Sequence, residues 1–275
     1  MIIASPPIES KAGSESPICR DYLSYSAVSA YRRCPLAFYF HYEAGLPEAT
    51  ISSSLVLGIA VHRAVELHFN ELMAGGEPPP LDALLGEHDA AWREYDGGAI
   101  RFGKHQDRDE LAGLAQRMLA AFQASSLAKP EGFIPGVEEE LRGPVIPGCP
   151  DILGRLDLIV ETASELIITD LKTARSRWSQ AQVEESAGQL LLYHELARDL
   201  APGKRLRLQF AVITKAQKPS VDLHEVVASP QQIDRTKRIV ERVWRAIDAG
   251  HFYPSPSPTQ CPSCPHRQPC RAWQG

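Results

Sequence analysis

Apolar positions along this chain recur in two periods, and the switches between them outline its elements. From Leu57 to Phe69 they fall at Val61, Ala64, Val65 and His68, one stripe of a helix, while His62 and Glu66 share another face. Upstream, Ser24 or Ser26 can cap a helix through Val28, Tyr31 and Arg32 that reaches Cys34-Pro35. An aromatic-rich continuation, Phe38 to Tyr42, ends near Gly45-Leu46-Pro47 and reads as core. Gly75–Pro80 is a breaker. Residues 81–128 are mostly helical, interrupted at Asp96-Gly97-Gly98, with Leu111–Leu127 the most amphipathic piece. The pattern then turns to strands: Gly136–Arg142, Gly154–Glu161 and Glu165–Thr173, with a Pro/Gly-rich link at Gly143–Pro150. A helix over Gln182–Leu200 follows, with Glu185, Gln189 and Tyr193 as a polar stripe opposite Leu190, Leu191 and Leu196. Strands at Leu206–Thr214 and Val221–Val227 and a long helix at Pro230–Ala249 complete an α/β pattern. The Pro- and Ser-rich tail after Gly250 predicts no regular structure, so something else must order it. No internal repeat is visible.

The two central strands are joined only by Thr162-Ala163-Ser164, which requires a hairpin. If Thr162–Glu165 form the loop, Glu161 faces Leu166, and counting back sets Asp157 opposite Asp170. Opposed residues in an antiparallel pair share a face, with Cβ atoms about 4.5–5.5 Å apart. Alternation puts Lys172 on that face too. Like charges facing across a ladder are destabilising, and a divalent cation between them removes the objection. The plain alternative, two solvated aspartates on an exposed sheet face, fits poorly with such apolar flanks.

Composition changes little. The 275 residues suffice for one large domain or two small ones. A net charge of −5 gives no global basic signature, so nucleic-acid contact must come from local clusters such as Arg32-Arg33, Lys172–Arg177 and Lys204–Arg207. No apolar run is long enough to span a membrane, and the N-terminus lacks a signal peptide's basic start and apolar core. Residues 1–20 read as a disordered leader, and a cytoplasmic protein is expected, its six cysteines being thiols or metal ligands.

Cys261, Cys264 and Cys270 form a C-x₂-C-x₅-C cluster that lets a short loop wrap a metal. Zinc and cubane iron–sulfur sites normally take four ligands. The fourth must come from Cys19, Cys34, Cys149 or His266, and Cys34 is the best candidate because it ends a helix and precedes Pro. Such a site would clamp the two ends of the domain together. Spacing alone does not choose between iron–sulfur and zinc, and Cys₃His zinc stays open.

Together these residues resemble the RecB-type branch of the PD-(D/E)xK nucleases, including the Cas4-like and AddB-like iron–sulfur nucleases. The resemblance runs from Leu23 onward and is dense at separated motifs. Ser26–Phe40 is similar to the family's cysteine helix, Gly58–His62 to its histidine motif, and Gly154–Asp157 to its G-x-x-D strand. Asp170-Leu171-Lys172 is similar to (D/E)-x-K, Gln189–Tyr193 to Q-x-x-x-Y, and the tail to the remaining cluster cysteines. Asp170 departs mildly from the Glu many members carry, and the acidic net charge leaves the DNA path unlocated.

The resemblance implies a restriction-endonuclease-like core, a mixed central sheet flanked by helices, in a single nuclease domain over residues 21–275. Within it, residues 21–134 would be mainly helical and carry the first cluster cysteine, 135–230 would form the catalytic sheet core, and 231–275 the C-terminal helix and cysteine cluster. It implies a metal-dependent deoxyribonuclease, an exonuclease preferring single strands, in DNA repair, recombination or CRISPR adaptation. Asp157, Asp170, His62 and the Leu171 carbonyl would hold Mg²⁺ or Mn²⁺; Lys172 would position water or stabilise the transition state. Gln189 and Tyr193 would hold the scissile strand or Lys172, and one of Glu138, Glu139 and Glu140 would add an outer acid. Cys34, Cys261, Cys264 and Cys270 would hold a structural [4Fe–4S] cluster, with zinc as the alternative. A helicase or a CRISPR integrase is a candidate partner, and any helicase motor would be a separate chain, since no P-loop occurs. The competing readings are a non-catalytic DNA-binding subunit, which would have lost the acidic pair, and a zinc-stabilised interaction module.

Overall fold

A computed structural model of the chain describes residues 21–104 and 106–275; the expected leader over 1–20, with Cys19, lies outside the described residues. The elements are β1 (Tyr22–Ser24), α1 (Tyr25–Arg33), α2 (Pro35–Phe38, running into a π-helical turn at Tyr39–Glu43), β2 (Ile51–Ser52), α3 (Ser53–Met73), α4 (Leu81–Arg93), β3 (Ile100–Arg101) and α5 (Arg108–Gln123). Then come β4 (Phe133–Gly143), β5 (Asp151–Glu161), β6 (Glu165–Ala174), α6 (Gln180–Ser186), α7 (Gly188–Ala197), β7 (Arg205–Thr214), β8 (Val221–Val226), α8 (Pro230–Asp248) and α9 (Arg267–Ala272).

The main sheet is mixed and centred on β5, which has three neighbours. β4 lies antiparallel along one edge, from Phe133 opposite Glu161 to Gly143 opposite Ile152. The other edge is shared. β1 pairs in parallel with Asp151–Leu153, while β6 pairs antiparallel with Leu158–Glu161. Between them Gly154–Asp157 have no strand partner on that side, and β5 forks. β6 continues parallel to β7, through the helical crossover of α6 and α7 that parallel neighbours require, and β8 closes antiparallel to β7.

Helices cover both faces. α3, α4 and α5 bury Val61, Val65, Trp92, Met118 and Phe122 against Leu158, Val160, Ile167 and Ile213. α6 and α7 bury Val183, Leu190 and Leu191 against Leu156, Ile168, Phe210 and Val212. A third cluster joins α1, α8 and the tail through Val28, Tyr31, Phe38, Val240 and Ile247. His68 is one of the buried stripe residues; its Nε2 lies 2.8 Å from the Ala128 carbonyl, so its role is structural. Ser24 caps α1, its Oγ accepting the Ala27 N–H at 3.2 Å.

Two expectations fail. The helix over Gln182–Leu200 is two helices, α6 and α7, interrupted at Ala187 where Tyr25 crosses: a Cβ on Gly188 would sit 2.9 Å from the Tyr25 hydroxyl. Glu185 is therefore separated from the Gln189/Tyr193 stripe. The tail, read as irregular, contains a 3₁₀ turn at Cys261–Ser263 and the short helix α9.

At Gly154 α7 packs tightly on β5; a Cβ there would lie 2.8 Å from the Tyr193 ring and 3.0 Å from Leu196. Gly154→Ala is expected to cost about 1–3 kcal/mol through overpacking. Gly86→Ala, in α4 with open space around it, should instead stabilise by about 0.4–1 kcal/mol. Denaturant unfolding of both variants checks the pair.

Candidate active site

The β5–β6 ladder follows the register that the short turn demands, from Glu161 opposite Leu166 to Leu158 opposite Thr169. It stops one pair short of the two aspartates. At the fork Asp157 Oδ2 accepts the Leu171 backbone N–H at 2.6 Å, a side chain standing in for the missing strand. This fixes the carboxylate while a second oxygen remains to face the site.

Asp170 is 2 % exposed. The Lys172 ammonium lies 2.6 Å from its Oδ2 as an ion pair. Lys172 Nζ donates to Gln189 Oε1 at 2.9 Å, and Gln189 Nε2 donates to the Tyr193 hydroxyl at 2.8 Å. Strand alternation thus sets Asp170 and Lys172 side by side, and helical i,i+4 spacing sets Gln189 and Tyr193 above them.

His62 enters from α3. Gly58, one turn earlier, lets that helix meet the end of β6: a Cβ there would lie 2.9 Å from Thr173 Oγ1. His62, Glu138 and Asp157 each present a ligand atom within 4.8 Å of the others. Glu138 is the one acid selected from the Glu138–Glu140 run. It has φ +53°, a left-handed conformation that disfavours a side chain with a Cβ, and Arg155 Nε lies 2.6 Å from its Oε2. The space between these groups measures about 10 Å³ for the centre of a water-sized sphere, room for one small particle.

Burial raises the Asp157 pKa well above the usual carboxylate range, and the charges of Asp170 and Glu138 add to it, against the Leu171 N–H and Lys172. Burial also raises Asp170, opposed by Lys172, and Glu138, opposed by Arg155. His62 moves the other way, down to about 4, through burial and the cations of Lys172 and Lys215. Near neutrality the imidazole is uncharged with a lone pair to offer, among three acids that share only Lys172 and Arg155 as ion-pair partners among the described residues. This donor set suits a divalent cation.

The sequence reading did not include Lys215, just past β7. Its Nζ donates to the Ser54 carbonyl at 2.7 Å and to Ser54 Oγ at 3.0 Å, tying the start of α3 to the sheet, and burial with Arg175 lowers its pKa to about 8. Nothing in its local sequence marked it, because its partner is Ser54 on another element.

At the other end, Cys34 lies between α1 and α2 and comes together with the tail cysteines. The Ser255 N–H donates to Cys34 Sγ at 3.4 Å and the Ser257 N–H to Cys261 Sγ at 3.2 Å. Burial and then the thiols of Cys34, Cys264 and Cys261 raise the Cys270 pKa. Cys149 instead packs with the α1–α8 cluster, near Glu241 and Arg245.

A central mixed sheet flanked by helices, with carboxylates and a lysine at a strand fork, defines the class. The PD-(D/E)XK nuclease superfamily model matches residues 22–271, and the chain belongs to that superfamily; it is a nuclease of a group that generally uses divalent metals. A solved structure of a candidate exonuclease from Eubacterium rectale is similar in fold, with TM-score 0.56 at 15% identity over 93% of this chain and 89% of that one. A second, SSO0001, has TM-score 0.39 at 16% identity over 83% of this chain and 89% of that one, too low to carry an argument. No curated protein matches the chain. No helix among the described residues is long and apolar enough to cross a membrane.

The charges in this site have a measurable signature. A carboxyl whose folded pKa is raised holds its proton longer when folded, so stability falls as pH rises through that range. His62, with its folded pKa lowered to about 4, contributes in the opposite sense, but only between there and its unfolded value of 6.5. As pH rises above the ordinary carboxylate range, metal-free protein should therefore lose stability as Asp157 ionises, offset in part by His62 up to pH 6.5. The Tm of Asp157→Asn minus that of the wild type should grow with pH, and Mg²⁺ should shrink the difference. A gap independent of pH would contradict the assignment.

Proposed function

We propose that this chain is a Mg²⁺- or Mn²⁺-dependent deoxyribonuclease of the RecB-like, Cas4-like iron–sulfur branch, acting as an exonuclease on single-stranded DNA in repair, recombination or CRISPR adaptation. The observation that carries the reading is the convergence of Asp157, Glu138 and neutral His62 beside the Asp170–Lys172 pair. Asp157, Asp170, His62 and the Leu171 carbonyl would hold the cation, with Glu138 beside them. A divalent ion bound there supplies an activated water at neutral pH and neutralises charge building on the phosphate. Lys172, paired with Asp170, stabilises that phosphate charge or orients the attacking water. Gln189 holds the Lys172 ammonium through its Oε1, and Tyr193 anchors Gln189, which supports a positioning role for both.

Cys34, Cys261, Cys264 and Cys270 would hold the [4Fe–4S] cluster as a structural clamp, with zinc the alternative. The approach of Cys34 to the tail supports this. The acidic net charge favours a local basic path for DNA over a broad one, and a helicase or CRISPR integrase would be a separate partner chain.

Asp170→Ala and Lys172→Ala, made separately, should each reduce Mn²⁺-dependent degradation of linear single-stranded DNA by about 10²–10³-fold. Closed single-stranded circles should resist the wild-type enzyme. Full activity in both variants would overturn the catalytic reading, and rapid cutting of circles would overturn the exonuclease one. Anaerobically purified protein should contain iron and acid-labile sulfide, both lost in Cys34→Ser; zinc in their place would decide for the alternative.

A further inference from the structure

Beside the cysteines lies a second group whose chemistry neither the nuclease centre nor the cysteine set uses. His41, on the π-helical turn, Glu48, in the loop after it, and His266, at the start of α9, each present a ligand atom within 4.8 Å of the others. His41 Nδ1 is 3.5 Å from Glu48 Oε1, and an exposed ion pair would explain those two. It does not explain His266. That ring is 3 % exposed, lies 6.2 Å from the His41 ring and 5.9 Å from Phe40, and has its Nε2 buried with no hydrogen-bond partner. A buried polar atom with no partner is costly, and a ligand is one of the few reasons a fold keeps one. The His266 backbone N–H bonds Cys264, so its main chain serves the sulfur while its side chain gathers with His41 and Glu48.

We infer that His41, Glu48 and His266 form a second metal site, taking a zinc-class divalent ion, distinct from both the nuclease centre and the four cysteines. Two imidazoles and one carboxylate suit zinc, whereas Mg²⁺ and Ca²⁺ prefer all-oxygen sets. Zinc bonds of about 2.0–2.2 Å put tetrahedral ligand atoms about 3.3–3.6 Å apart. His41 and Glu48 already stand at that separation, and closing each of the two sides to His266 needs a shift of no more than about 1.5 Å. Three protein ligands leave the fourth position to water. The site pins the segment after α2 to the tail, across the contact that the cysteines also bridge, and by a different chemistry.

Equilibrium dialysis of the full-length, anaerobically purified protein against micromolar Zn²⁺, with zinc and iron counted per chain, tests the site. His41→Ala and Glu48→Gln change exposed side chains, and far-UV circular dichroism verifies that both variants fold. Each should lose one zinc per chain or weaken one class of zinc site by more than about tenfold, with iron content and DNA cleavage unchanged. His266→Asn should do the same. Unchanged zinc stoichiometry and affinity in His41→Ala and Glu48→Gln would overturn the inference. So would loss of iron in His266→Asn alone, which would make His266 a ligand of the cysteine site.

Discussion

Negative charge held together without enough positive charge beside it is the constraint on which this structure turns. Asp157, Asp170 and Glu138 converge where β5 forks, and among the described residues only Lys172 and Arg155 stand against them as direct ion-pair partners. Asp157 has a backbone N–H in place of a cation. The raised carboxyl pKa values are the thermodynamic trace of that imbalance. A sheet continued through Asp157 and Asp170 would have been the simpler solution; the chain gives up those pairings and a relaxed backbone at Glu138 to keep oxygens facing one small space.

The surrounding elements follow from keeping that fork open. β1 takes the part of β5's edge that β6 leaves, which stops the sheet from closing over the site. Gly58 lets α3 deliver His62 from one face, and Gly154 lets α7 deliver Gln189 and Tyr193 from the other. Lys172 links the two sides, bonded to Asp170 on its own strand and to Gln189 on the covering helix. A glycine that looks conformationally optional in the sequence is thus a spacing device in the fold.

What could be read from the sequence divides along sequence separation. The turn of Thr162–Glu165 sets the hairpin register within a few residues, so the approach of Asp157, Asp170 and Lys172 was legible from loop length and alternation. Cysteine spacing likewise singled out the tail. Glu138 could not be chosen from three adjacent acids because the register of β4 on β5 depends on a distant pairing. The strand β1 read only as a lead-in to a helix, since three residues gain their identity from Asp151–Leu153. The break at Ala187 has the same origin, in a tyrosine that packs from another helix.

The contacts that bind α1 and α2 to the tail have a consequence for how the protein is made. The Tyr31 hydroxyl donates to the His251 carbonyl at 2.6 Å, and the Leu36 N–H to the Tyr253 carbonyl at 3.0 Å. On a ribosome adding about 5–20 residues per second, those acceptors emerge roughly 10–45 s after their donors. Through that interval the aromatic faces of Tyr31, Phe38 and Tyr39, which Phe252 will cover, are exposed to whatever else is nearby. Those faces are buried only once the segment around Phe252 has been translated and docked.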